Sequence, residues 1–344
     1  MKLKHFLLCC CYVLGMLTIQ AQTKEPEGAA AKNAIESYRN RDIAGLEKAV
    51  TELEKVHPKH PYTLFFKAYV KDAKGVDVNE ILRDYSEVIR IAPDFSDPYI
   101  YRGKLFHYKG IYQKAIDDYT KAIEIEKGNA PEMYVELYVL RGESYNRIGN
   151  GSAAYDDFKS AATLFPSIPR YYRGMLNTAF DAKREQEALS FLQQAVDGKQ
   201  SQNGGIIEVL ADMYLRMQKF SQADEYYTKA LAMQGWEPNP DSYSGASIAA
   251  ERVENFSKAK TLIEKAIQMN PKEVVYYTNR AGIAATEKKW EDVYTWAKKA
   301  LEINSNDMYA NMYMAVGVKL TGRGDALSAE YEKKAYEIQK QQKQ

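Results

Sequence analysis

A chain of 344 residues is long enough for two ordinary globular domains or for one extended repeat array. With 45% hydrophobic and 27% charged residues, it has the composition of a folded, soluble protein. Its 47 basic and 46 acidic residues nearly cancel, which argues against a nucleic-acid partner, because displacing counterions from phosphates needs a basic surface.

Residues 1–22 read as a secretory signal peptide. Lys2 and Lys4 give a positive start, an apolar run follows from Phe6 to Ile19, and Ala21 offers a small residue for cleavage. The run is short of the roughly 20 residues of a comfortable membrane span. The expectation is an exported protein, periplasmic or secreted, beginning near Gln22 or Thr23, with no integral membrane span after cleavage. An uncleaved N-terminal anchor is the alternative. All three cysteines (Cys9, Cys10 and Cys11) lie in the run, so cleavage leaves none for a disulfide, a zinc–thiolate site or a nucleophile. Phe6-Leu7-Leu8 lacks the small residue that lipidation of a following cysteine requires. Losing Lys2 and Lys4 leaves 45 basic residues against 46 acidic, so the charge balance is unchanged.

Next comes a polar leader, residues 23–33, expected to be disordered. Residues 34–341 then read as helices. Arg41 to Pro58 is the second half of a degenerate first unit. The unit from Tyr62 to Phe95 carries Tyr69 and Ile81 where later units have small residues, yet keeps Tyr85 and Pro93. From Asp97 the pattern is clear. Tyr99, Gly103 and Phe106 are spaced i, i+4, i+7 on one helix face, and after Lys109-Gly110 the same spacing returns as Ala115, Tyr119 and Ala122.

This pair of triplets recurs to the end of the chain, over units at 96–129, 135–168, 169–202, 204–237, 240–273, 274–307 and 308–341. The closing residues Ala161, Ala195, Ala230, Ala266, Ala300 and Ala335 step by 34, 35, 36, 34 and 35 residues. Small residues allow two helices to approach where they cross, and the ring beside each fills the adjoining space. Ala122, Ala161, Ala195, Ala230 and Ala266 are therefore expected to be buried at crossings. Pro93, Pro166 and Pro271 follow second helices, which they cannot extend. The fold class expected is all-α, a right-handed solenoid of about 7–9 stacked helix-turn-helix units with atypical ends.

Tyr99-Ile-Tyr-Arg-Gly with Tyr112-Gln-Lys-Ala-Ile-Asp-Asp-Tyr-Thr-Lys-Ala resembles a tetratricopeptide repeat, at that family's period of 34 residues. Tyr138-Val-Leu-Arg-Gly repeats the opening, and Tyr277-Thr-Asn-Arg-Ala nearly does. The resemblance spans almost the whole mature chain and implies a protein-binding scaffold rather than an enzyme. It names no partner, since the recurrent residues are packing ones. Some family members hold a peptide C-terminus in a carboxylate clamp of Lys, Asn and Arg. Arg173 and Asn177 match its first element in kind, but Val209, Asp241 and Gly245 stand where asparagine and basic residues would be needed.

Nothing in the sequence calls for a cofactor, a metal or a catalytic residue. His57-Pro-Lys-His60 lies in a loop without a nearby ligand run, and no phosphate loop or Gly-x-Ser-x-Gly elbow is present. Asp117-Asp118 and Asp156-Asp157 are read as outward, solvated pairs. Arg323-Gly324-Asp325, an adhesion tripeptide, falls in a turn where glycine is expected anyway.

One step past each first-helix triplet lies the face that lines the concave side of a stacked array. There Lys104, His107, Glu143, Asn146, Arg173, Asn177, Phe180, Glu208 and Asp212 are expected to bind a protein or peptide partner of mixed charge. Smaller residues (Thr278, Gly282, Ala285) would receive its apolar part. A structural role in an envelope assembly is an alternative, as is a glycan binder using Tyr108 and Phe180. The oligomeric state is left open.

Overall fold

A computed structural model describes residues 23–198 and 202–342. The expected signal peptide, with its cleavage site and three cysteines, lies outside the described residues. Among them the chain is all-α: eighteen α-helices, one 3-10 turn at Pro131–Met133, and no strand beyond an isolated bridge between Lys127 and Asn129. The stacked helix-turn-helix architecture read from the sequence is the one observed.

The chain divides into two units, meeting between Ala188 and Leu189. The first contains α1 (Ala29–Arg39), α2 (Ile43–Val56), α3 (Pro61–Ala73), α4 (Val78–Ile91), α5 (Ser96–Tyr108), α6 (Tyr112–Glu126), α7 (Val135–Arg147), α8 (Gly151–Leu164), α9 (Pro169–Ala179) and the start of α10 (Glu185–Asp197). The second contains the rest of α10, then α11 (Gly204–Arg216), α12 (Phe220–Leu231), α13 (Pro240–Arg252), α14 (Phe256–Met269), α15 (Val274–Thr286), α16 (Trp290–Ile303), α17 (Met308–Leu320) and α18 (Asp325–Gln342).

The turns inside the helix pairs share one construction. Each holds a residue at positive φ: Arg41, Gly75, Gly110, Gly149, Lys183, Gln218, Glu254, Lys288 and Gly322. The next residue donates its N–H to the carbonyl five positions back, as in Ile111 to Phe106 at 2.8 Å and Lys289 to Ala284 at 2.9 Å. This is a Schellman ending, which satisfies the last carbonyls of the first helix. That same donor often caps the next helix: Asp42, Asn150 and Asn255 each accept a backbone N–H with their side chains. Left-handed backbone costs a non-glycine residue about 1–2 kcal/mol, so five of these turns carry strain that packing offsets.

The packing triplets lie where their spacing predicts. Ala122, Ala161, Ala230 and Ala266 are buried. At Gly103 the approach is so close that an added Cβ would stand 2.8 Å from the Tyr119 ring. Tyr99, Tyr172 and Tyr277 each donate a hydroxyl to the carbonyl of the proline six residues earlier, Pro93, Pro166 and Pro271, at 3.1–3.2 Å. The proline that ends one unit thus anchors the ring that opens the next.

Two expectations need correction. Residues 23–33 are not disordered throughout, because α1 begins at Ala29 and supplies the missing half of the first pair. Ahead of it Pro26 is buried, and Thr23 donates a hydrogen bond to Asp94 at 2.8 Å. Ala195 is only half-buried. The buried stripe of α10 runs through Leu189, Leu192 and Val196, so branched Val196 fills the place that Ala195 was expected to close.

Candidate functional site

The arginine in Tyr-Ile-Tyr-Arg-Gly is a structural clamp. Arg102 on α5 grips Asp118 on α6 through Nε and Nη2, at 2.9 and 2.7 Å, while its Nη1 reaches Ser86 of α4 at 2.9 Å. Arg141 on α7 repeats this with Asp157 on α8, at 2.9 and 2.7 Å, and Thr120 of α6 at 3.0 Å. Each guanidinium ties three helices with a bidentate pair. Burial still raises the pKa of both carboxyls against the pull of their arginines. The acidic pairs are therefore not solvated faces: Asp117 and Asp156 are exposed, but Asp118 and Asp157 are buried. Arg280 occupies the same position in a later unit. Sixteen residues on it meets Trp296 instead of an aspartate, and it lies 5.0 Å from that ring's centroid.

A second set of bonds links successive first helices at the repeat period. Tyr171 donates to Glu136 at 2.7 Å, Ser242 to Glu208 at 2.6 Å, Tyr276 to Asp241 at 2.6 Å, and Asn279 to Ser244 at 3.0 Å. Arg170 adds a charged contact to Glu136. Glu208, expected on the binding face, is buried and serves as one of these links. Asp212 is half-buried and accepts the hydroxyl of Tyr227. The fold uses both charges, so neither is the spare surface group that its position suggested.

In the first unit the expected site is divided. Lys104 is half-buried, with Nζ 4.8 Å from the Tyr101 ring centroid. Its charge also acts on two sheltered carboxyls, lowering their pKa values against burial, which pushes Asp72 up to about 6 and Asp97 to about 7. His107 is half-buried and shares a 2.8 Å hydrogen bond between Nδ1 and Ser144 Oγ. Ser144 Oγ also lies 2.9 Å from the Leu140 carbonyl, to which it donates. Desolvation, then Arg147, lowers the His107 pKa.

The outer part of this face is open. Glu143, Asn146 and Asn177 are exposed, while Arg173 and Phe180 are half-buried. Glu143 is reachable yet hemmed in: desolvation is the largest cause raising its pKa, ahead of the opposing charge of Arg170. In the second unit Thr278 and Gly282 are buried and Ala285 is half-buried, so the small-residue stretch is packed rather than open.

Other sequence candidates have local duties. His60 Nδ1 accepts the Tyr62 N–H at 3.3 Å as the cap of α3, and His57 Nε2 lies 3.2 Å from the Glu27 carbonyl. Among the described residues no cluster of three or more His, Cys, Asp or Glu could hold a metal, and no helix is long and apolar enough to cross a membrane. Arg323 of the Arg-Gly-Asp stretch is held bidentately by Glu291 at 3.0 and 2.8 Å.

The family profile described as "Tetratricopeptide repeat" matches residues 206–235, the pair α11–α12. This pair is a tetratricopeptide repeat. The chain is 23% identical over 231 residues to "DnaJ homolog subfamily C member 7 homolog" of Schizosaccharomyces pombe, covering 62% of this chain and 48% of that protein. It is 22% identical over 272 residues to a TPR repeat-containing protein of Methanocaldococcus jannaschii, covering 78% and 43%. The chain thus spans about half the length of the curated relatives it matches. The solved Cut9–Hcn1 hetero-tetramer of the APC/C aligns at 15% identity with a TM-score of 0.50, over 86% of this chain and 56% of that one. That likeness concerns the fold alone, a solenoid of stacked helix pairs.

Proposed function

We propose that this chain is an exported, non-catalytic scaffold that captures a segment of a partner protein along the first helices of its tetratricopeptide repeats. The observation that carries this reading is the division of labour on that face. Lys104, Glu208 and Asp212 are engaged in the fold, whereas Glu143 and Asn146 on α7 stay exposed. Asn177 on α9 is exposed as well. With Arg173 and Phe180 they present both charge signs, amides and a ring, a surface suited to an extended or helical segment of mixed charge. Export rests on the charged start and the short apolar run, with periplasm or the exterior as the destination.

The test is capture of the native partner from envelope extracts. Glu143→Lys with Asn146→Lys should abolish capture while leaving the melting temperature nearly unchanged, since both positions are exposed and such substitutions usually stay within about 0.5 kcal/mol. Asp117→Lys, on the exposed outer side of α6, should bind normally. Loss of capture with Asp117→Lys alone would move the site off the first-helix face. Intact mass of the native protein tests export, because a mass retaining residues 1–17 means an anchored chain.

A further inference from the structure

Around Lys104 the first-helix face holds a combination that the next units lack. Asp97, Tyr101 and Lys104 follow the i, i+4, i+7 spacing on α5, and Phe65, Tyr69 and Asp72 follow it on α3. The two stripes meet. The Tyr69 and Tyr101 rings stand 5.1 Å apart at 77°, and Tyr38 of α1 lies 5.0 Å from Tyr69 with its hydroxyl 3.1 Å from that of Tyr101. Lys104 places its ammonium against these rings, 4.8 Å from the Tyr101 centroid, where its charge acts on both Asp72 and Asp97. The three units that follow have Leu140, Gly174 and Val209 in the place of Tyr101. Stacking of repeats therefore does not call for this set of rings and carboxyls.

Two further observations point to a cation. Asp72 and Asp97 share the Lys104 ammonium, and Glu126 adds its own negative charge at Asp97, so the carboxyls outnumber the cation set against them. Next to Tyr101, the Tyr85 hydroxyl is fully buried without a well-formed hydrogen bond, and the charge that acts on it most is that of Asp72. A buried hydroxyl left unsatisfied is costly, and a donor entering beside Asp72 would meet it.

We infer that Tyr69, Asp72 and Tyr101 form a subsite for a basic side chain of the partner segment, and that Lys104 is the chain's own stand-in for that side chain. The inference rests on the reading of the first helices as the binding face. Tyr69, Asp72, Tyr101 and Lys104 are all half-buried, so the cluster is reachable from solvent. Tyrosine faces attract a cation through their quadrupole, and the carboxyls supply the counter-charge. An incoming ammonium or guanidinium takes the place of Lys104, whose flexible stem lets its own charge swing out to water. An acidic side chain is refused, because it would stand against two carboxyls.

NMR titration of the full chain with n-butylammonium, the lysine head group alone, tests this, with butyrate as the opposite charge. The expected result is a saturable shift of the Tyr69 and Tyr101 ring and Asp72 carboxyl resonances with butylammonium and none with butyrate. Lys104→Met removes the resident cation and should tighten binding roughly three-fold or more, the scale of a cation–π contact that no longer has to be displaced. Asp72→Asn should weaken it roughly ten-fold, the scale of a hydrogen bond to a charged group. Lys104→Met decides the matter alone if Asp72→Asn does not fold. Resonances unmoved by butylammonium in both the natural chain and Lys104→Met would overturn the inference, as would binding of butyrate or weaker binding by Lys104→Met. Failure of butylammonium to bind, with capture still lost in Glu143→Lys with Asn146→Lys, would remove this subsite alone. Butylammonium binding with capture indifferent to that variant would remove the binding-face reading instead.

Discussion

At the scale of single residues, the buried acids make the sharpest predictions. Breaking a buried ion pair by removing one partner typically costs about 3–5 kcal/mol. Asp157→Ala strands Arg141 among three helices and should fall in that range by denaturant unfolding, whereas Asp156→Ala, on an exposed neighbour, should be close to neutral. Asp97 gives a pH signature. Burial first and Glu126 second push its carboxyl from 3.8 up to about 7, against the pull of Lys104 and a hydrogen bond from Tyr38. The folded state therefore keeps a proton that the unfolded state releases between about pH 4 and 7. This contribution to stability is greatest below that window and is lost as pH rises through it. Asp97→Asn should flatten the stability–pH curve there, and an unchanged slope in parallel melts would mean the carboxyl is already ionised. Overpacking separates the crossings: Ala161→Trp should cost about 1–3 kcal/mol, and Ala195→Trp less, since Ala195 is half-buried. Sequence spacing located most of these alanines because helix periodicity reports packing directly. The buried carboxylates were harder to read, since an acidic doublet looks alike whether or not an arginine sixteen residues upstream grips one member. That spacing, Arg102 to Asp118 and Arg141 to Asp157, was the available signal.

At the scale of helices and turns, the αL residues set the register. Lys288 and Gly110 occupy the same turn position at φ 59° and 74°. Lys288→Gly should therefore raise stability by roughly 0.5–1 kcal/mol, and Gly110→Ala should lower it by about 1 kcal/mol, both measurable as shifts in the melting curve. Opposite outcomes would show that side-chain packing around Lys288 outweighs the backbone strain. Glycine marked this position legibly in four turns. In the other five, Arg41, Lys183, Gln218, Glu254 and Lys288 carry no compositional hint of a left-handed backbone, because the flanking helices impose it. The inter-repeat bonds were hidden for a related reason. The face of Glu208 can be inferred from helical periodicity, but its covering by Ser242 depends on how the next pair docks.

At the scale of the whole molecule, the expected partner-binding face resolves into an engaged part and an open part, and the open part is what the charge-reversal pull-down addresses. Sequence spacing could name the face because a 34-residue period repeats the same helix positions. It could not separate Glu143 from Glu208, both acidic and both on the expected face, since burial is decided by the neighbouring helices. One further consequence concerns the two sorts of connection. Turns inside pairs share one backbone geometry, whereas connections between pairs run from four residues, as at 92–95, to eight, as at 127–134 and 232–239. Length variation is thus wider at the seams between pairs than inside them, where the turns run from three residues, as at 109–111, to five, as at 180–184. A peptide tag inserted after Gly128 should leave the protein soluble and folded, while the same tag after Gly110 should not. Those seams are also the places where an ancestral gene could gain, lose or exchange whole repeats without breaking a helix pair.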